Sequence, residues 1–369
     1  MEEKIKKLSN TIVNYSLEVK ENDKVLITSQ TDKPNDLVKC LIKDIVNNKG
    51  IPFVKIVDPE ISALLLELTD DARIEELKKH SEFDVDNYDC FINIRYSTND
   101  FENNNIKAIT RKKLGEATKE SDAIRINERR WVLLNYPSRL DAFKANMKTS
   151  DFYEFSMDSM NIDYSKMYDD VKPLKELMEK TKNVRITGPD TDITFSIQGM
   201  KSIPCCGKCN IPDGEIYTAP IKTSVNGIIT YNTKSPYQGY VFDNVSLKFK
   251  DGKIIEAKAS SNNEKLNEIF DTDEGARYIG EFAIGLNPAI KNPMGDILFD
   301  EKIIGSIHFT PGQAYHDAYN GNDSSIHWDL VLIQREDYGG GEIYFDHTLI
   351  RKDGLFVLDE LKHLNYEKK

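Results

Sequence analysis

Apolar residues recur along the first 150 or so positions in two alternating patterns. Short runs have the length and β-branched or aromatic content of strands: "KVLITS" (Val25, Leu26, Ile27), "PFVKIV" (Phe53, Val54, Ile56, Val57), "CFINIR" (Phe91, Ile92, Ile94) and "WVLLN" (Trp131 to Leu134). Between them, "NDLVKCLIKDIVNN" and "ARIEELKKH" place apolar residues at the spacing of an amphipathic helix. Strands separated by helices require crossovers, so the pattern predicts an α/β amino-terminal domain with a mainly parallel sheet covered by helices. After the first strand comes "SQTDKPND", without the glycines or the lysine of a phosphate-binding loop, so this domain reads as scaffold and cavity wall.

From Ser138 to about Lys182 the pattern is helical and charged, ending in "VKPLKELMEKTKN". Beyond it, "VRITG", "DITFSI", "GIITYN", "VSLKFKDGKIIEAKA" and "EIYFDHTLIRKDGLFV" are short, β-rich and punctuated by Gly, Asp and Asn. Asp251-Gly252 and Asp353-Gly354 are hairpin turn signals. The expected boundaries are therefore 1–182 for the α/β domain with its helical extension and 183–369 for an α+β, largely antiparallel carboxy-terminal domain. One helix, "NNEKLNEIF", interrupts the second domain. "DTDEGARYIGE" predicts another, starting at Asp271 with Glu274 completing a capping box and Glu281 in its last turn. A carboxylate at that end faces the negative pole of the helix dipole and wants a cation beside it.

The stretch "SSIHWDLVL" alternates differently. Ile326, Trp328, Leu330 and Leu332 share one face of an extended segment, while His327 and Asp329 project together from the other. Neighbouring imidazole and carboxylate on one face form a chelating arrangement. Five of the six histidines (His308, His316, His327, His347 and His363) lie from His308 onward, which directs attention to this end of the chain. "IGSIHFTPG" sets His308 at the end of a short apolar strand before a Pro-Gly turn, and "NIPDGEIYTAP" presents Glu215 from a Pro-Asp-Gly corner. With Glu281 and Asp329 the candidate set is three carboxylates and two imidazoles, about what two divalent ions need if one carboxylate is shared. The mixture suits zinc, cobalt or manganese; it fits neither a thiolate cage nor an all-oxygen calcium site.

Composition narrows the function further. The chain has 369 residues, 39% of them hydrophobic and 30% charged, with no apolar run approaching the ~20 needed to span a bilayer. "MEEKIKKLSN" carries no apolar signal core, so a cytoplasmic protein with no membrane partner is expected. A formal net charge of −12 without a Lys/Arg stripe argues against nucleic acid as a partner. The five cysteines form no disulfide framework; Cys205, Cys206 and Cys209 cluster as "CCGKCN", which lacks the second half of a zinc knuckle and reads as a tight turn. Neither G-x-S-x-G nor H-E-x-x-H occurs, which removes serine hydrolases and classical zincins from consideration.

Taken in order, "VRITGPDTDITFSIQGM", "NIPDGEIYTAP", "DEGARYIGEFAIGLNP", "IGSIHFTPGQAY" and "SSIHWDL" resemble the M29 metallopeptidase family, that of aminopeptidase T, aminopeptidase S and PepS. The upstream "RRWVLLNYPS" is similar to the family's Trp-and-Pro segment, and the likeness is densest from Val184 to Leu332. The resemblance implies a dimeric exopeptidase acting on short peptides, with Glu215, Glu281, His308, His327 and Asp329 as ligands of two divalent ions. Glu281 would bridge them and also relay a proton, and Tyr315 would match an active-site tyrosine. The loop between His308 and His327 is shorter than the family pattern leads one to expect, so cavity walls built by that loop should differ. A metal- or peptide-binding homologue without turnover, or a dimetal hydrolase of another amide, would carry the same ligands.

Overall fold

The computed structural model describes residues 1–366. It divides into two compact units: unit 1 is Met1–Asn161 with Gly207–Pro212, and unit 2 runs from Ile162 to Cys206 and from Asp213 onward.

Unit 1 contains strands β1 (Lys24–Gln30), β2 (Ile51–Val57), β3 (Cys90–Arg95) and β4 (Arg130–Asn135). They form a parallel sheet in the order β2-β1-β3-β4, to which the two-residue strand Asn210–Ile211 adds beside β4. Helices α1 (Glu2–Asn10), α2 (Asn35–Asn47), α3 (Pro59–Glu67), α4 (Asp71–Asn87) and α5 (Ala108–Glu128) surround or connect the strands. Two of these helices start where local chemistry dictates: the Asp58 carboxylate accepts from the Glu60 and Ile61 amides ahead of Pro59, and Asp70 accepts from the Arg73 amide. The expected parallel α/β sheet is thus present. β2 stands at its edge, with Phe53, Val54 and Ile56 all exposed.

In unit 2 an eight-stranded antiparallel sheet runs in the order 253–258, 246–250, 226–230, 191–196, 183–188, 342–345, 348–352 and 355–356. Its Asp-Gly turns have positive φ at both residues, 49° and 87° at Asp251-Gly252, 49° and 77° at Asp353-Gly354. That is the conformation whose twist matches a two-residue hairpin. A second antiparallel sheet has five strands: β5 (Ile203–Cys205), β6 (Glu215–Thr218), β7 (Ile279–Gly285), β8 (Ser306–Pro311) and β9 (Val331–Ile333), in the order β9-β8-β7-β6-β5. One face of this sheet buries Ile216, Phe282, Ile284, Ile307 and Phe309 in the main core of unit 2. There Phe195 of the large sheet meets Phe282 and Phe309 at ring-centroid distances of 5.0 Å each.

The helix expected from Asp271 does not form. Asp271 caps the end of the helix Asn263–Phe270, a single 3₁₀ turn occupies Gly275–Arg277, and Glu281 lies on strand β7. The Asp273 carboxylate accepts from the Ala276 amide and from Ser324 and Ser325, which holds this segment against a distant loop. Glu281 therefore faces no helix terminus, and no helix dipole calls for a cation beside it.

A candidate metal centre on the polar face of the second sheet

Register decides which side chains meet. Ala283 pairs with His308 and with Tyr217, Gly285 pairs with Glu215, and Glu281 pairs with Thr310. Paired residues of antiparallel strands share a face, so Glu215, Glu281, His308 and Thr310 all emerge opposite the aromatic core. A bulge between Ile279 and Glu281 shifts the register at that point. Gly280 sits in the bulge because a Cβ there would lie 2.4 Å from the carbonyl oxygens of both Gly312 and Gln313.

His327 and Asp329 arrive on the extended segment before β9. Ile326, Trp328 and Leu330 enter the core, while His327 pairs with Gly312 in an isolated bridge and faces the other way. The alternation read in the sequence is realised, although regular strand begins only at Val331.

The five side chains converge. His308 Nε2 is 3.0 Å from Glu281 Oε1 and 3.5 Å from Glu215 Oε2. His327 Nε2 is 3.3 Å from Glu281 Oε2 and 3.3 Å from Asp329 Oδ1. Glu281 thus offers one oxygen to each imidazole. Two triads result, Glu215–Glu281–His308 and Glu281–His327–Asp329, each with its ligand atoms within 4.8 Å of one another, and Glu281 belongs to both.

Surrounding groups fix the donors. His308 Nδ1 lies 3.2 Å from the Glu301 carbonyl and His327 Nδ1 lies 2.8 Å from the Gln313 carbonyl. A carbonyl only accepts, so each Nδ1 carries the hydrogen and each Nε2 turns toward the carboxylates. The Thr310 hydroxyl donates to Asp329 at 2.7 Å. Glu281 and His308 are almost wholly buried, and Glu215 Oε2 is a buried oxygen without a hydrogen bond among the described residues.

Electrostatics follow from this crowding. Burial favours a neutral Glu215 and raises its pKa against the pull of Lys302 and His308. Burial also works against ionisation of Glu281 and Asp329, but the imidazoles outweigh it and hold both below the ordinary carboxylate range. For His308 and His327 burial opposes protonation, yet the carboxylates prevail and raise both. Protons are therefore retained where the site lacks other positive charge. Inward lone pairs facing inward carboxylates are reconciled only by protons or cations, so the donor set fits divalent metal.

Two charged residues here, Lys302 and Glu301, do not stand out in the sequence. Lys302 is fully buried, 3.6 Å from Glu215 Oε1 and in contact with Glu301. Its signal was faint, one lysine in "FDEKIIGSIHF" among the 49 lysines and arginines of the chain. Tyr315 lies at the rim, half exposed, its ring 4.6 Å from that of His327 and 5.5 Å from that of Tyr217. Cys205 groups with Asp213 and Glu215, but burial and those carboxylates push its thiol well above the ordinary value, which disfavours the thiolate a metal would need. Cys206 is buried in the core, Gly207 turns with a φ of 73°, and Cys209 is exposed.

The family model described as thermophilic metalloprotease (M29) matches residues 1–349. Aminopeptidase 2 of Geobacillus stearothermophilus is 31% identical over 166 residues, which cover 39% of this chain and 37% of that protein. The matched segment thus spans well under half of the relative's length. Among solved structures, wild-type AmpT from Thermus thermophilus superposes with a TM-score of 0.79 at 19% identity, covering 96% of this chain and 99% of that one. A 2,5-dihydroxypyridine dioxygenase from Pseudomonas putida KT2440 follows with 0.63 at 13% identity, covering 98% and 99%. The fold is shared by both, so fold alone does not select the reaction.

Proposed function

The chain belongs to the thermophilic metalloprotease (M29) family, and from that premise we propose that it is an aminopeptidase that releases amino-terminal residues from short peptides with two divalent ions. The observation that carries this reading is the pair of ligand triads sharing Glu281. Glu215, Glu281 and His308 would hold one ion, and Glu281, His327 and Asp329 the other, with zinc, cobalt or manganese suited to the mixed oxygen and nitrogen donors. When bound, such a pair supplies a water nucleophile at neutral pH and Lewis acidity toward the scissile carbonyl.

The rest is the work of the chain's own groups. Glu281, placed centrally and buried, carries a proton toward the leaving amine. The Tyr315 hydroxyl donates to the developing oxyanion from the rim, a position its packing on His327 allows. The carbonyls of Glu301 and Gln313 keep both imidazoles in one tautomer through the cycle. A cytoplasmic homodimer belongs to the same reading, by the family resemblance. Among the described residues no helix is long and apolar enough to cross a membrane.

The test is an assay of metal-stripped protein against amino-acid anilides, dipeptides and amino-terminally acetylated peptides, with zinc, cobalt or manganese restored. Metal-dependent release from free amino termini alone is expected, and His327→Ala should abolish it. Metal binding without turnover, or equal cleavage of acetylated substrates, would contradict an aminopeptidase.

A further inference from the structure

Unit 1 contains a cavity of about 380 Å³ that the proposed catalysis does not use. It lies over one face of the parallel sheet, beneath α4 and α5. Register places Leu26 beside Phe91 and Thr28 beside Asn93, and Phe91 and Asn93 in turn beside Trp131 and Leu133. The strand order β2-β1-β3-β4 makes the chain leave β1 to one side and return on the other, so the crevice opens at the carboxyl ends of β1 and β3. In open parallel sheets that is where ligands bind.

The walls divide by chemistry. Leu26, Val85 and Phe91 are buried, and with Trp131 they form an apolar floor. Higher up, the Thr28 hydroxyl and the Asn93 amide face the cavity without a hydrogen-bond partner among the described residues. Both charge signs flank them. Arg125 is tied to Asp122 at 3.0 Å through Nη2, Arg95 is a second guanidinium on the lining, and Asp84 accepts from Lys55 with both carboxylate oxygens, at 2.9 and 2.7 Å. A nucleotide has little to hold its phosphates, because the loop after β1, Thr31 to Asn35, has no glycine and α2 begins without a side-chain cap.

We infer that this cavity binds a free amino acid with a large apolar side chain. The side chain fills the floor, the carboxylate meets the guanidinium of Arg125, and the ammonium meets the Asn93 carbonyl, the Thr28 hydroxyl and Asp84. A ligand with one charge would leave half of these groups unanswered, and unpaired polar groups penalise the wrong ligand. The inference stands apart from the catalytic reading, although an amino acid is also the product of that reaction.

The chain's two tryptophans, Trp131 in the cavity and Trp328 in the core of unit 2, make the test local. Metal-free full-length protein is titrated with L-leucine and L-phenylalanine while tryptophan fluorescence is followed. A saturable change is expected that persists in Trp328→Phe and vanishes in Trp131→Phe. N-acetyl-leucine and leucinamide should bind at least about tenfold more weakly, the loss of one charged contact. Asn93→Leu and Thr28→Val should each weaken leucine binding with melting temperatures near that of the parent. A signal that follows Trp328 instead would assign binding to the catalytic cluster and overturn the inference. Equal binding of N-acetyl-leucine, or no saturable change, would overturn it as well.

Discussion

At the scale of single residues, the candidate site is largely legible because its members break the local pattern. His327 and Asp329 interrupt an apolar alternation, and the structure brings them to Glu281 at 3.3 Å from His327 Nε2 and into one ligand group. Lys302 was not legible, because burial of a lysine is decided by strands far away in sequence. Its ammonium is the fixed countercharge to Glu215 and Glu301. Lys302→Met should destabilise the metal-free protein by ~3–5 kcal/mol, the scale for breaking a buried pair. Added divalent ions replace the missing charge, so the rise in melting temperature on metal addition should be larger in the variant. An unchanged rise would show that Lys302 does not serve the cluster. Tyr315→Phe keeps the ring on His327 and leaves all five ligands in place. Turnover should fall by up to about 10²–10³-fold with metal content intact, the cost of one lost oxyanion donor, and full turnover would remove Tyr315 from the mechanism.

At the scale of elements, the hairpins of unit 2 were read correctly where turn chemistry is local, as at Asp251-Gly252 and Asp353-Gly354. No helix starts at Asp271, although the local signals there describe one. An acidic cap and a glutamate three residues on describe a helix start, but Asp273 is bound instead to Ser324 and Ser325, about fifty residues away. The strand that replaces the helix needs Gly280 at its bulge, and no periodicity in the sequence marks that close approach. Gly280→Ala should place its methyl against the Gly312 and Gln313 carbonyls and push apart the two segments that carry Glu281 and His327. A loss of ~1–3 kcal/mol is expected, together with weaker metal binding, measured by thermal melts with and without metal. Tight metal binding at parental affinity would mean that the bulge does not set the ligand geometry.

At the scale of the whole molecule, alternation of strands with helices marks the parallel sheet, and β-rich texture marks the antiparallel sheets. The pairing order within each sheet was not readable, since it depends on which distant strands meet. That order creates both places of interest: the reversal at β1 and β3 opens the cavity of unit 1, and the meeting of β6, β7 and β8 lays Glu215, Glu281 and His308 on one face of unit 2, where the segment before β9 adds His327 and Asp329. The central claim is that this face holds two ions through a shared Glu281, and the most direct measurement is elemental analysis of protein stripped with chelator and then saturated with zinc, cobalt or manganese. Two ions per chain are expected, falling to one or none in Glu281→Ala. Saturation at one ion per chain would contradict the shared-carboxylate site.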